Sequence, residues 1–73
     1  MDRAMLEEYL AKAEEHISSA LRMIERQRVV VVRLKENGEP TEDAQQLLER
    51  FELSFQSMLA DRDLIQRLLR SEG

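Results

Sequence analysis

The side chains that could carry out chemistry are few in this sequence. His16 is the only histidine among 73 residues and there is no cysteine, so neither a thiol nucleophile nor the Cys/His cluster of a structural zinc site is available. The serines that lie well inside the two long helix-forming stretches are Ser18, Ser19, Ser54 and Ser57. Without a glycine-rich phosphate loop or an oxyanion turn beside them, these serines lack the surroundings of a nucleophile. We therefore expect a protein that is not an enzyme and that holds no cofactor and no metal ion.

The length and charge of the chain narrow the classes of function further. A domain of 73 residues is short of hydrophobic core, and without a disulfide or a zinc site we expect it to gain stability by associating with another chain. The net charge of -4 repels a phosphate backbone and argues against nucleic acid as a partner. No apolar run approaches the ~18 residues of a membrane span, and the first residues are acidic where a secretion signal is basic. We expect a cytoplasmic protein that makes no contact with a membrane.

One break divides the sequence into two halves. Gly38 suits the left-handed residue that ends a helix, and Pro40 cannot continue one. Thr41, followed by two acidic residues, is typical of the start of a new helix. Both halves are rich in Leu, Glu, Arg, Ala and Gln, which favour helix. The sequence predicts one all-α domain over residues 1–73, with a helix over about 3–37, a turn over 37–41 and a helix over about 41–71.

Apolar residues recur in both halves at alternating spacings of three and four, which is the pattern of a heptad seam. In the first half the seam consists of Leu6, Leu10, Ala13, Ile17, Ala20, Ile24, Gln27, Val31 and Leu34. In the second half it consists of Ala44, Leu48, Phe51, Phe55, Met58, Arg62, Ile65 and Leu69. Two seams joined by a tight turn predict an antiparallel two-helix hairpin that packs like a coiled coil. We expect Gln27 to lie opposite Phe51 and to fix the register of the two helices.

The residues just before alternate seam positions predict a second contact surface. They lie on one flank of the hairpin, are mostly apolar, and comprise Tyr9, His16, Met23, Val30, Leu47, Ser54, Asp61 and Leu68. A single hairpin leaves this flank in water, so we expect a second copy to cover it, which gives a homodimer and an antiparallel four-helix bundle. We also expect His16 to bond to Asp61 there. The opposite flank, where Arg28 faces Glu52, is expected to stay solvated.

Several polar positions accompany the seam in a pattern that extends over roughly residues 13–69. The pattern consists of His16-Ile17, Ile24, Arg26-Gln27-Arg28, Leu34, Gly38, Thr41, Ala44, Leu47-Leu48, Phe51, Ser54 and Asp61-Arg62-Asp63. It resembles a group of short, mostly uncharacterised helical-hairpin proteins of rhizobia-type alphaproteobacteria. Many of those carry Gly-His-Asp-Thr at the turn, where this chain has Gly38-Glu39-Pro40-Thr41, so no role of a turn histidine carries over. The resemblance implies a helical hairpin in a bacterial cytoplasm and implies no activity.

The preferred interpretation of function is a protein–protein interaction or regulatory module. The homodimer would present part of its surface to another cytoplasmic protein, whose identity the sequence does not give. The contact residues proposed for that partner lie off the seam and are Val29, Val32, Leu53 and Leu64.

Two other functions stay open. A histidine on the first helix of a dimeric hairpin resembles the phosphoacceptor of sensor kinases, although His16 lacks the acidic neighbour and the nearby proline found there. The alternative is thus a phosphoacceptor or a small regulator of a kinase pathway. The group of Arg26, Arg28 and Arg33 suggests a weak nucleic-acid binder, which the surrounding carboxylates oppose. A zinc site built from His16 and Asp61 of two subunits is also conceivable.

Overall fold

The structure is a computed structural model that describes residues 2–72, with side chains as far as Ser71. It contains two α-helices, α1 over Arg3–Glu36 and α2 over Glu42–Glu72. The helices pack along their length in a rod of 55 × 14 × 12 Å. The prediction of an all-α helical hairpin is therefore confirmed.

The turn between the helices is built on Gly38. Its φ of 70° lies in the left-handed region, which a side chain would strain. In this conformation the Gly38 N–H donates to the Lys35 carbonyl (3.1 Å) and the Glu39 N–H donates to the Leu34 carbonyl (2.9 Å). Two carbonyls at the end of α1, which would otherwise lack partners, are thereby satisfied. Pro40 follows at once and stops any continuation of α1.

The two helices begin in different ways. The Asp2 carboxylate accepts a hydrogen bond from the Ala4 N–H (3.1 Å) and caps α1. At the start of α2, the Thr41 carbonyl accepts from the Gln45 N–H (2.8 Å), and Glu42 and Asp43 occupy the first turn. Negative charge in a first turn favours the helix because it meets the positive end of the helix dipole.

The seam residues of the two helices form the core. In α1 each of them is buried or half-buried, and Leu6 (1% exposed) and Ile24 (3% exposed) are the most deeply enclosed. In α2 each of them is half-buried. Because two helices bury only the strip along which they touch, the buried apolar residues within the described chain are Leu6, Ile17, Ala20 and Ile24.

Two cross-helix hydrogen bonds fix the register. The Gln27 amide donates to the Ala44 carbonyl (2.9 Å), and the Arg3 guanidinium donates to the Leu69 carbonyl (3.4 Å). The start of α1 thus lies beside the end of α2, so the helices are antiparallel. Gln27 bonds near the beginning of α2 and not at Phe51, which lies about 10 Å further along that helix. Arg28 nevertheless faces Glu52, as the sequence predicts, and Met23 shares a groove with Ser54. The helices therefore keep the expected register, and the long Gln27 side chain reaches along α2 to a carbonyl that does not lie directly opposite it.

Candidate protein–protein interface

One flank of the hairpin carries large apolar side chains that a single chain leaves in water. Five of them are between 39 and 46% exposed, and they are Tyr9, Met23, Val30, Leu47 and Leu68. His16, Ser54 and Asp61 lie among them, and all three are exposed. We call these eight residues the apolar flank. They are the residues that the sequence proposes for the dimer interface.

The opposite flank has a different character. Arg28 Nη2 lies 3.6 Å from Glu52 Oε2, and this ion pair links the two helices as the sequence predicted. Two large apolar side chains lie on this flank among the described residues. Leu21 is 43% exposed, and Leu59 is half-buried. We call this side the charged flank. The two sides of one hairpin thus differ in how much apolar surface they offer to a partner.

A groove opens on the apolar flank near the middle of the rod. Its volume is about 230 Å³, and it is lined by Ala20, Met23, Phe51, Ser54 and Met58. The small side chain of Ala20 leaves the space, and the larger side chains of the two helices form its walls. The heptad pattern places Met23 and Ser54 on this flank but does not show the groove, because its shape depends on how the neighbouring side chains turn. The groove is therefore a feature that sequence reasoning missed.

His16 and Asp61 lie on the apolar flank without bonding to each other. Within the described chain, neither a hydrogen bond nor an ion pair of 4.0 Å or less joins these two residues, so the expected contact does not form in one subunit. Each side chain is exposed and free to meet another molecule. Among the side chains that the structure describes, residues 2–71, no group of three His, Asp or Glu residues is placed to hold a metal ion.

The four residues proposed for a further partner lie on the outer faces of the helices. Leu53 is 70% exposed, and it shares a shallow depression with Glu49, Glu52 and Gln56. Val29 and Val32 share another with Arg28, Arg33 and Glu36. Leu64 is exposed as well. The two depressions therefore offer an apolar contact in an acidic setting on α2 and in a largely basic setting on α1.

The arginine on the α2 seam has a structural explanation. Arg62 Nη2 lies 3.1 Å from Asp63 Oδ1, and Arg62 Nε also donates to that oxygen (3.3 Å). The guanidinium therefore reaches outward to a neighbouring carboxylate while the stem lies along the core. This is one of the ways in which a long charged side chain occupies a half-buried position.

Neither of the two helices has, within the described residues, an apolar stretch long enough to span a membrane.

Comparison of the chain with protein-family models, with curated proteins and with solved structures finds no match. The resemblance to the rhizobial hairpin proteins stays a prediction based on the residues quoted above.

Proposed function

We propose that this chain is a non-enzymatic interaction module that works as a homodimer, in which the apolar flanks of two hairpins pack together as a four-helix bundle. The observation that carries the proposal is the contrast between the two flanks. Five large apolar side chains are exposed on one of them and only Leu21 on the other. A contiguous apolar strip on a small protein is typical of a surface that another protein covers. For a short chain, a second copy is the simplest partner that matches its length.

The accessible surface of the chain supports the same assembly. The hairpin exposes 5601 Å². A compact monomer of 8.6 kDa is expected to expose about 4,700 Å². The excess of about 900 Å² is close to the ~800 Å² that each partner buries in an interface of standard size. If a second chain covered one side of the rod, the exposed surface of each chain would fall to about that of a compact monomer of this mass.

The outer faces of the proposed dimer would then be available to another protein. Leu53 on α2 and Val29 with Val32 on α1 are exposed apolar side chains beside charged neighbours, which is how a helix face contacts a partner helix. We propose that this partner is a cytoplasmic protein, which is the compartment that the resemblance to the rhizobial hairpin proteins implies. Its recognition would depend on the outer faces, because the dimer uses the apolar flank.

The test compares one substitution on each flank. Met23→Glu places a carboxylate in the proposed interface, and Leu21→Glu places the same group on the charged flank. The two residues have nearly equal exposure in one chain, 46% and 43%, and lie two positions apart on α1. We expect Met23→Glu to weaken dimerisation by about 2 kcal/mol or more, roughly thirtyfold in dissociation constant, because a charge is desolvated on association.

Sedimentation velocity over a concentration series measures the dissociation constants of both variants and of the wild type. Leu21→Glu should stay within about threefold of the wild type, because its side chain remains in water. Equal effects of the two substitutions would refute the assignment of the interface to the apolar flank. Circular dichroism of the same samples confirms that both variants keep their helices.

A further inference from the structure

Two arrangements of the proposed homodimer bring the apolar flanks together with two-fold symmetry. If the axis runs parallel to the helices, α1 of one subunit lies on α2 of the other and both turns lie at the same end. If the axis is perpendicular to the helices, α1 lies on α1, α2 lies on α2, and the turns lie at opposite ends. Neighbouring helices are antiparallel in both cases, so the helix dipoles do not distinguish the two arrangements.

The charges of the helices distinguish them. Residues 3–36 contain seven basic and six acidic side chains, whereas residues 42–72 contain four basic and seven acidic ones. The perpendicular axis places two acidic α2 helices against each other. The parallel axis places each acidic α2 against the slightly basic α1 of the other subunit. Complementary charge along an interface sets the orientation of partners, so it favours the axis that is parallel to the helices.

The groove distinguishes them as well. Met23 lines it from α1, and Ser54 lines it from α2, so these two residues lie at nearly the same height along the rod. An axis parallel to the helices keeps heights unchanged, and the partner's Met23 therefore arrives at the groove. A perpendicular axis reverses heights, and one that crosses the middle of α1, between Ser19 and Ala20, brings the partner's Met23 against His16 instead. The parallel axis fills the apolar groove with an apolar side chain, whereas a perpendicular axis through the middle of α1 does not.

We propose that the two copies pair about an axis parallel to the helices, with both turns at the same end and with Met23 of each subunit inserted in the groove of the other. This proposal rests on the homodimer proposed above. Methionine suits such a contact, since its unbranched side chain adapts to an irregular opening. The same arrangement brings His16 of one subunit to the height of Asp61 of the partner subunit. The two side chains that make no bond to each other within one chain then lie within reach of one another across the interface.

The ends of the rod provide the direct test. The sequence has no cysteine, so Glu39→Cys places a single thiol at the turn for a nitroxide spin label. Pulsed electron paramagnetic resonance then measures the distance between labels of the two subunits. We expect less than about 25 Å, because the helix axes of a four-helix bundle lie 8–10 Å apart. Turns at opposite ends would give about 50 Å, the length of a helix of 34 residues.

A second label position, at the other end of the rod, distinguishes the two arrangements independently. Ala4→Cys places a label at the other end of the rod, and a mixture of the two labelled proteins contains dimers with one label of each kind. These should show a distance near 50 Å, whereas the opposite arrangement should bring the unlike labels together. A long distance between turns in a sample that sediments as a dimer would overturn this arrangement and leave the homodimer intact. A monomeric mass with no distance between subunits would overturn both proposals.

The groove is tested separately by Ala20→Leu, which fills it from within the same chain. We expect the dissociation constant of the dimer to rise about tenfold, because the partner's Met23 loses its space. Ala11→Leu is the control, since Ala11 is exposed and lies off the seam and off both flanks. If both variants retain helix and Ala20→Leu dimerises as the wild type does, Met23 does not occupy the groove.

Discussion

At the scale of single residues, Gln27 has the most specific role in the hairpin. It is half-buried on the seam, and its amide N–H bonds to the Ala44 carbonyl of the other helix (2.9 Å). An apolar residue at this position would pack about equally well at several offsets, whereas the amide favours one of them. The polar residue therefore contributes to the register of the hairpin as well as to its stability.

Replacement of Gln27 should show this contribution. Gln27→Ala removes the cross-helix hydrogen bond and leaves a gap on the seam, so we expect a loss of about 1–2 kcal/mol in the free energy of unfolding. Urea denaturation measures the loss as a lower midpoint. Gln56→Ala is the matched control, because Gln56 is exposed on the outer side of α2, and its midpoint should change little. A midpoint equal to that of the control would mean that the bond contributes nothing to the fold.

At the scale of the helices and the turn, sequence reasoning reached most of the fold. The spacing of three and four residues identified the side chains that the two helices enclose, and Gly38 with Pro40 identified the turn. The partner of a single polar side chain across the seam was less predictable, because a long side chain can reach along the neighbouring helix to a carbonyl that does not lie opposite it. The bond from Gln27 to Ala44, and not to a residue near Phe51, is an example. The cap at Asp2 was missed, although an aspartate just before a helix is a recognised signal.

The turn offers a prediction that depends on the backbone alone. Gly38→Ala should destabilise the protein by about 1 kcal/mol, because alanine resists the left-handed conformation at a φ of 70°. Apart from Gly38 and its two neighbours in the chain, no atom of the described residues lies within 4 Å of the position that a Cβ would occupy, so a steric clash does not add to this cost. Thermal unfolding should show a fall of roughly 5 °C. Gly38→Asn should cost less, since asparagine tolerates this conformation, and a larger loss for asparagine than for alanine would contradict the explanation.

At the scale of the whole molecule, the proposed homodimer would make the hairpin one half of a four-helix bundle. Its buried residues occupy one strip, while a second apolar strip lies in water beside it. The sequence placed the residues of that second strip on one flank, because their positions follow from the heptad pattern. It did not reveal the groove beside Ala20 or the absence of a bond between His16 and Asp61, because both depend on the positions of side chains in three dimensions. The groove, together with the charges of the two helices, supports the proposed orientation of the dimer.

The proposed association of two flanks has a direct consequence for the mass and the stability of the wild-type protein. Sedimentation equilibrium at micromolar concentration should give about 17 kDa, twice the 8.6 kDa of one chain. Thermal unfolding of the same samples should shift to higher temperature as the protein concentration rises, because folding is then linked to association. A mass of one chain, combined with cooperative unfolding at a temperature independent of concentration, would contradict the proposed homodimer.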